Sequence, residues 1–101
     1  MIEIVIQRQN GHIIGYEVKG HAGEIGTSIV CAGVSTLAQT TLKGLDKYNL
    51  LASYKVENGK LQGRVTEITA LTDALLETML IGYYDILGVA PNDVCIQEQE
   101  V

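Results

Sequence analysis

A histidine and a cysteine separated by ten positions are the residues of this chain best suited to carry out chemistry. His21 lies in a segment rich in glycine, and Cys31 lies in the apolar run Ile29-Val30-Cys31-Ala32-Gly33. A thiolate is a strong nucleophile, and an imidazole can take a proton from a thiol and later give it to a leaving amine. Together they could cleave peptide bonds, whereas a buried thiol and a solvated imidazole far from each other would be inert.

A helix predicted to begin just before Cys31 would position its sulfur. Thr27 or Ser28 can cap this helix, and apolar residues follow at spacings of three and four as far as Leu45. With Ser28 as the cap, Cys31 falls in the first turn, where unpaired backbone N–H groups and the helix dipole favour negative charge. The same N–H groups could receive the oxyanion of a tetrahedral intermediate. Gly44 lies near the predicted end of the helix, where a left-handed residue commonly closes a helix.

Two further features of this region bear on the site around Cys31. His21 follows a predicted strand, and the segment 20–26 holds three glycines, which allow a backbone that opens for a peptide and closes on it. Ser35 lies one helical turn after Cys31 on the same face. Its hydroxyl could bond back to the Cys31 carbonyl or assist in the site.

The remaining pattern predicts an α+β domain with the element order ββαββαβ. Alternating apolar residues predict strands, and Asn-Gly pairs predict the turns of two hairpins. We expect a single domain over residues 1–101, with two helices packed on a mostly antiparallel or mixed sheet. The expected elements outside the first helix are strands 2–7, 14–19, 51–57, 61–66 and 93–99 and a second helix over about 69–87, with Gly88 and Pro91 as its stop signals.

Composition narrows the classes of partner. A formal net charge of −5 argues against sequence-independent binding to nucleic acid, which needs clustered Lys and Arg. No stretch approaches the ~20 apolar residues of a membrane span. The two cysteines are too few for a disulfide framework, so we expect two reduced thiols and a cytoplasmic protein. Cys95 is predicted to point to the opposite face of its strand from the core and to have no catalytic role.

The second predicted helix is apolar over much of its circumference, and its charged stripe, chiefly Asp73, Glu77 and Asp85, is thin. A helix on the surface of a small monomer normally has a wider polar side. Either both faces are covered within the domain, or one is shared with a second copy of the chain.

Two runs of the sequence resemble the ribosomal-processing cysteine protease family of bacteria. They are Gly20-His21-Ala22 and Ile29-Val30-Cys31-Ala32-Gly33-Val34-Ser35, separated by a segment that contains glycine. The family has Gly-His-Ala, a mobile loop, and Asp-Ile-Val-Cys-Ala followed by small residues and Ser. The run from Leu37 to Leu45 is also similar. Ser28 stands where the family usually has Asp, and the loop is shorter than in typical members.

The resemblance implies a homodimeric cysteine endopeptidase that removes a short N-terminal extension from large-subunit ribosomal protein number twenty-seven. It implies His21 as general base and Cys31 as nucleophile, with Ser28 and Ser35 as candidate supporting residues, and neither a metal nor another cofactor is expected. The loop that would cover the substrate consists of Ala22, Gly23, Glu24, Ile25, Gly26 and Thr27.

Two other function classes are compatible with the same residues. One is a non-catalytic dimeric module that binds a partner in ribosome assembly and merely retains the cysteine. The other is a redox-sensing protein with Cys31 as its sensor.

Overall fold

The computed structural model describes residues 1–20 and 28–101, and within these ranges the chain forms the predicted ββαββαβ order. The predicted loop Ala22 to Thr27 and His21 lie outside the described residues. The elements are β1 (Ile2–Gln9), β2 (His12–Gly20), α1 (Ile29–Lys47), β3 (Leu51–Glu57), β4 (Lys60–Val65), α2 (Ala70–Val89) and β5 (Val94–Glu100).

The described strands form one mixed sheet in the order β3-β4-β2-β1-β5. Among the described strands only the pair β1–β5 is parallel, and the other neighbours are antiparallel. Along the central strand β1, the alternating Ile2, Ile4 and Ile6 are buried in the core, as predicted. The α+β class and the mixed sheet are therefore confirmed.

Both hairpin turns form where Asn-Gly pairs predict them. Asn10 and Gly11 have φ values of 51° and 82°, the positive pair that a tight two-residue hairpin turn requires. Beside this turn the β1–β2 register shifts between Gln7 and Arg8. Ile13 and Ile14 on β2 are adjacent in sequence yet both buried, because the irregularity breaks the strict alternation.

The two helices run antiparallel across one face of the sheet and touch at small residues. A Cβ on Gly33 of α1 would lie 3.4 Å from Ile86 Cδ1 of α2, and one on Gly82 of α2 would lie 2.7 Å from Leu37 Cδ1 of α1. Glycine at these positions lets the helix backbones approach closely. Neither described helix is long and apolar enough to cross a membrane.

Both helices extend one to three residues past the glycines expected near their ends, and neither Gly44 nor Gly88 takes the left-handed conformation. α1 continues through Gly44 to Lys47, and the left-handed residue that follows is Asn49, with φ 58°. Leu45 is fully buried, so its packing keeps the last turn of α1 on the core. α2 likewise continues through Gly88 to Val89. Burial of the helix side chains outweighs the modest helix cost of a glycine, ~1 kcal/mol.

Candidate active site

Cys31 lies in the first turn of α1, as predicted. Ser28 is the N-cap, and its Oγ accepts a hydrogen bond from the Cys31 backbone N–H at 3.2 Å. The Ser28 carbonyl accepts the next N–H, that of Ala32, at 3.1 Å. The sulfur is partly buried against the core and sits where the positive end of the helix dipole stabilises a negative charge.

The end of β2 lies next to the start of α1, although the residues between them are outside the described ranges. Gly20, the last residue of β2, donates its N–H to the Gly59 carbonyl of the β3–β4 turn at 3.1 Å. Its φ of +93° and the close approach of the Met1 carbonyl leave no room for a side chain. Gly20 and Cys31 line the same groove, so the strand end and the helix start are neighbours.

This groove lies between α1 and the β3–β4 hairpin and has a volume of about 250 Å³. We call it the α1–hairpin groove. Its floor is apolar, and polar side chains stand at its rim. It is lined by Ile2, Val18, Lys19, Gly20, Cys31, Val34, Ser35, Ala38, Gln39, Val56, Glu57, Asn58, Gly59, Lys60 and Leu61.

Ser35 lies one turn after Cys31 and also lines the groove, and its hydroxyl is hydrogen-bonded to Gln39, a partner that the sequence did not indicate. Ser35 Oγ accepts a hydrogen bond from Gln39 Nε2 at 2.9 Å, and Ser35 is exposed. Because Gln39 lies one further turn along, the amide reaches back along the helix surface to the hydroxyl. Ser35 is therefore part of a polar pair on the groove rim.

A buried tyrosine supports the helix beneath the groove. Tyr16 of β2 donates its hydroxyl to the Ala38 carbonyl at 2.8 Å, and its side chain is 2% exposed. Burial raises the pKa of Tyr16 far above its ordinary range, so the phenol stays protonated. The bond fixes the middle of α1 on β2, and thereby the position of the groove wall.

Cys95 is remote from this arrangement. It lies on β5 opposite Glu3 of β1, between Val94 and Ile96, which pair with the buried Ile2 and Ile4. Its side chain therefore points to the face of the sheet away from the helices, as predicted. Cys31 and Cys95 are both thiols. Within residues 1–20 and 28–101, no group of three His, Cys, Asp or Glu could hold a metal ion.

A second polar cluster lies at the other end of β1, and the sequence analysis did not identify it. Arg8 donates to Glu98 at 2.7 Å and to Glu77 at 2.9 Å, and Tyr84 donates its hydroxyl to Glu98. The hydrogen bond from Tyr84, followed by that from Arg8, lowers the pKa of the Glu98 carboxyl below its ordinary value. Nearby, His12 Nδ1 lies 3.0 Å from an Asp73 carboxylate oxygen. These contacts join α2 to β1 and β5, about 20 Å along the strand from the Cys31 end.

The structures of known proteins match this fold over nearly its whole length. A crystal structure of a Streptococcus mutans protein has a TM-score of 0.84 and 27% identity and covers 100% of this chain and 96% of its own. The Staphylococcus aureus ribosomal processing protease Prp with a covalently linked product peptide has a TM-score of 0.89 and 22% identity, covering 98% and 100%. The same protease with a substrate peptide has a TM-score of 0.86 and 21% identity, with the same coverage.

Sequence comparison identifies the family. No curated protein matches the chain. The sequence profile of the family described as cysteine protease Prp, however, matches residues 1–94 and so includes every element up to the start of β5. The protein therefore belongs to the cysteine protease Prp family.

Proposed function

We propose that this cysteine protease removes a short N-terminal extension from large-subunit ribosomal protein number twenty-seven, with Cys31 as nucleophile and His21 as general base. The observation that carries the proposal is the position of Cys31, in the first turn of a capped helix at the wall of an open groove. The similar Staphylococcus aureus protein is a ribosomal processing protease that has been crystallised with substrate and product peptides. In this proposal residues 1–101 act as one protease domain.

The proposed reaction proceeds in two halves. His21 takes the thiol proton, and the Cys31 sulfur attacks the carbonyl carbon of the scissile bond to give a tetrahedral oxyanion. The C–N bond then breaks, the amine leaves with the proton from His21, and a thioester to Cys31 remains. Water, deprotonated by His21, attacks the thioester and releases the acid and the thiol. Negative charge on the sulfur is favoured by the α1 N-terminus.

Ser28 contributes to this scheme by ordering the helix start. Its bond to the Cys31 N–H holds the first turn in place, and a serine caps a helix about as well as an aspartate does. The residues 22–27 would cover the bound peptide. Both roles are proposed on the family pattern and on the cap geometry.

The experiment is cleavage of a synthetic peptide that carries the extension, followed by mass spectrometry. We expect the Cys31→Ala variant to bind the peptide without cleaving it. The His21→Ala variant should have a kcat roughly 100- to 10,000-fold lower than the wild type. Cys95→Ala is the matched control, because it removes the other thiol on the far face of the sheet, and should cleave like the wild type. If the wild type binds the peptide without cutting it, the chain is a binding module.

We also propose that the protein is a cytoplasmic homodimer. The outward side of the helix layer exposes large apolar residues at Ile29 (89%), Ile81 (63%) and Val89 (84%), which a second copy would cover. Sedimentation equilibrium at micromolar concentration should give twice the chain mass. A monomeric mass would contradict this part of the proposal.

A further inference from the structure

Three residues form a row along the side of α1 that lines the groove. Cys31, Ser35 and Gln39 follow one another at intervals of four residues, so they lie above each other on one helix face. From Cys31 to Gln39 the row is about 12 Å long, at 1.5 Å per residue. An extended peptide advances by about 3.3 Å per residue, so the row matches three to four substrate residues.

The opposite wall of the α1–hairpin groove is formed by β3. Val56 is 54% exposed and pairs with Leu61 of β4, whose side chain is buried in the core, so Val56 stands on the helix side of the sheet. Leu61, together with Val34 and Ala38 of α1, provides an apolar floor. The groove therefore has uncharged polar groups along the helix and an apolar floor, and on the hairpin Val56 stands beside the polar and charged residues Glu57, Asn58 and Lys60.

The groove ends one turn beyond the row. Leu42 of α1 is buried and packs directly on Gly63 of β4, where a Cβ would lie 2.7 Å from Leu42 Cδ1. This contact closes the gap between helix and sheet just after Gln39. The stretch from Cys31 to Gln39 is thus the length of helix that lines the groove on this side of Cys31.

The hydrogen-bonding groups on the rim suit a peptide backbone. Gln39 Nε2 donates to Ser35 Oγ, which leaves the Ser35 hydroxyl proton to be donated. Among the residues that the structure describes, Gln39 Oε1 accepts no hydrogen bond. One acceptor and one donor, both uncharged and side by side, complement the N–H and C=O of an extended chain.

The volume of the groove is enough for one large side chain. At about 250 Å³ it exceeds the ~150 Å³ of an engineered apolar cavity that binds benzene. The floor of Val34, Ala38 and Leu61 favours an apolar side chain, because a charge lying against it would lose its hydration, whereas the charged residues Lys19, Glu57 and Lys60 lie elsewhere in the lining.

We propose that the α1–hairpin groove binds three to four substrate residues on one side of the scissile bond as an extended segment, with Gln39 and Val56 as specificity-determining residues. The inference rests on the proposed function of Cys31. Gln39 Oε1 accepts a substrate N–H, and the Ser35 hydroxyl donates to a substrate carbonyl. One large apolar substrate side chain lies on the floor against Val56.

Gln39→Ala and Val56→Trp test this arrangement by steady-state cleavage of peptides. Gln39→Ala should raise KM about three- to tenfold with little change in kcat, as expected for the loss of one or two hydrogen bonds. Val56→Trp fills the groove. Peptides with Leu and with Ala are compared at each of four positions on one side of the scissile bond. At one of these positions the ratio of the two kcat/KM values should differ from the wild-type ratio by about tenfold or more. Gln62→Ala, in the middle of β4 and outside the groove lining, is the control and should match the wild type.

The outcomes separate this inference from the proposed function. If the wild type cleaves the peptide but Gln39→Ala and Val56→Trp have wild-type KM and selectivity, the groove assignment is wrong while Cys31 remains the nucleophile. If Gln39→Ala lowers kcat with KM unchanged, Gln39 does not bind the substrate as proposed. If the wild type and the Gln62→Ala control both fail to cleave, the proposed function itself is overturned, and the inference with it.

Discussion

Removing the N-cap of either helix should lower the stability of the fold, but only the N-cap of α1 should affect the position of Cys31. Ser28 Oγ accepts the Cys31 N–H at 3.2 Å, and Thr69 Oγ1 accepts the Thr72 N–H at 3.0 Å at the start of α2. Either cap changed to alanine should cost about 1 kcal/mol. For a domain of this size that lowers Tm by about 4–8 °C.

Only one of these substitutions should affect catalysis. The helices are antiparallel, so Thr69 lies at the opposite end of the helix layer from Cys31. In Ser28→Ala the first turn of α1 frays, and 1 kcal/mol corresponds to about a fivefold smaller ratio of ordered to frayed turn. We therefore expect kcat to be lower in Ser28→Ala than in the wild type, by at most about fivefold because the ordered fraction cannot fall by more than the ratio does, and to stay at the wild-type value in Thr69→Ala. Ser28→Asp restores a cap and should leave activity equal or higher.

The assay is thermal unfolding of each variant together with peptide cleavage at a temperature where all are folded. Equal kcat for Ser28→Ala and Thr69→Ala would refute the claim that the cap holds Cys31 in its working position. A clear drop in Ser28→Asp would mean that the site is adapted to the neutral serine.

Two further substitutions test the ends of β1. Gly20→Ala should destabilise the fold by about 1–3 kcal/mol, since φ is +93° and a Cβ would meet the Met1 carbonyl; an unchanged urea midpoint would contradict this. The hydrogen bonds from Tyr84 and Arg8 hold the pKa of Glu98 in the folded state below its value in the unfolded state. The carboxylate therefore stabilises the folded state above the unfolded pKa, and this stabilisation is lost as the pH falls through the folded pKa. Urea midpoints at pH 7 and 3 should therefore differ less in Glu98→Gln than in the wild type, and equal differences would count against the reasoning.

The sequence predicts the elements of the fold well because their signals are local. Alternation along β1, the Asn-Gly turns and the Ser28 cap each depend on a few adjacent residues, and the structure confirms them. The signals at Gly44 and Gly88 placed the helix ends about two residues early, because the burial of side chains such as Leu45 is a tertiary effect that a local pattern does not contain.

Features that depend on distant residues could not be predicted in the same way. Parallel pairing of β1 with β5 joins the two ends of the described chain, and the sequence left open whether the sheet is antiparallel or mixed. The α1–hairpin groove brings Gln39 next to the wall formed by Val56, which only the fold does. Gln39 had one local signal, its spacing of eight residues from Cys31. For Val56, the alternation in β3 predicts which residues share its face of the sheet, but not that it lies across the groove from Gln39.

The reactivity of the Cys31 thiol tests the central claim most directly. Alkylation by iodoacetamide at pH 6, followed by peptide mass mapping, gives separate rates for Cys31 and Cys95. In the proposed function His21 acts together with the α1 N-terminus on the Cys31 thiol, so Cys31 should react faster than Cys95 and faster than a model thiol, and should lose this advantage in His21→Ala. A Cys31 that reacts no faster than the model thiol at this pH would contradict the account.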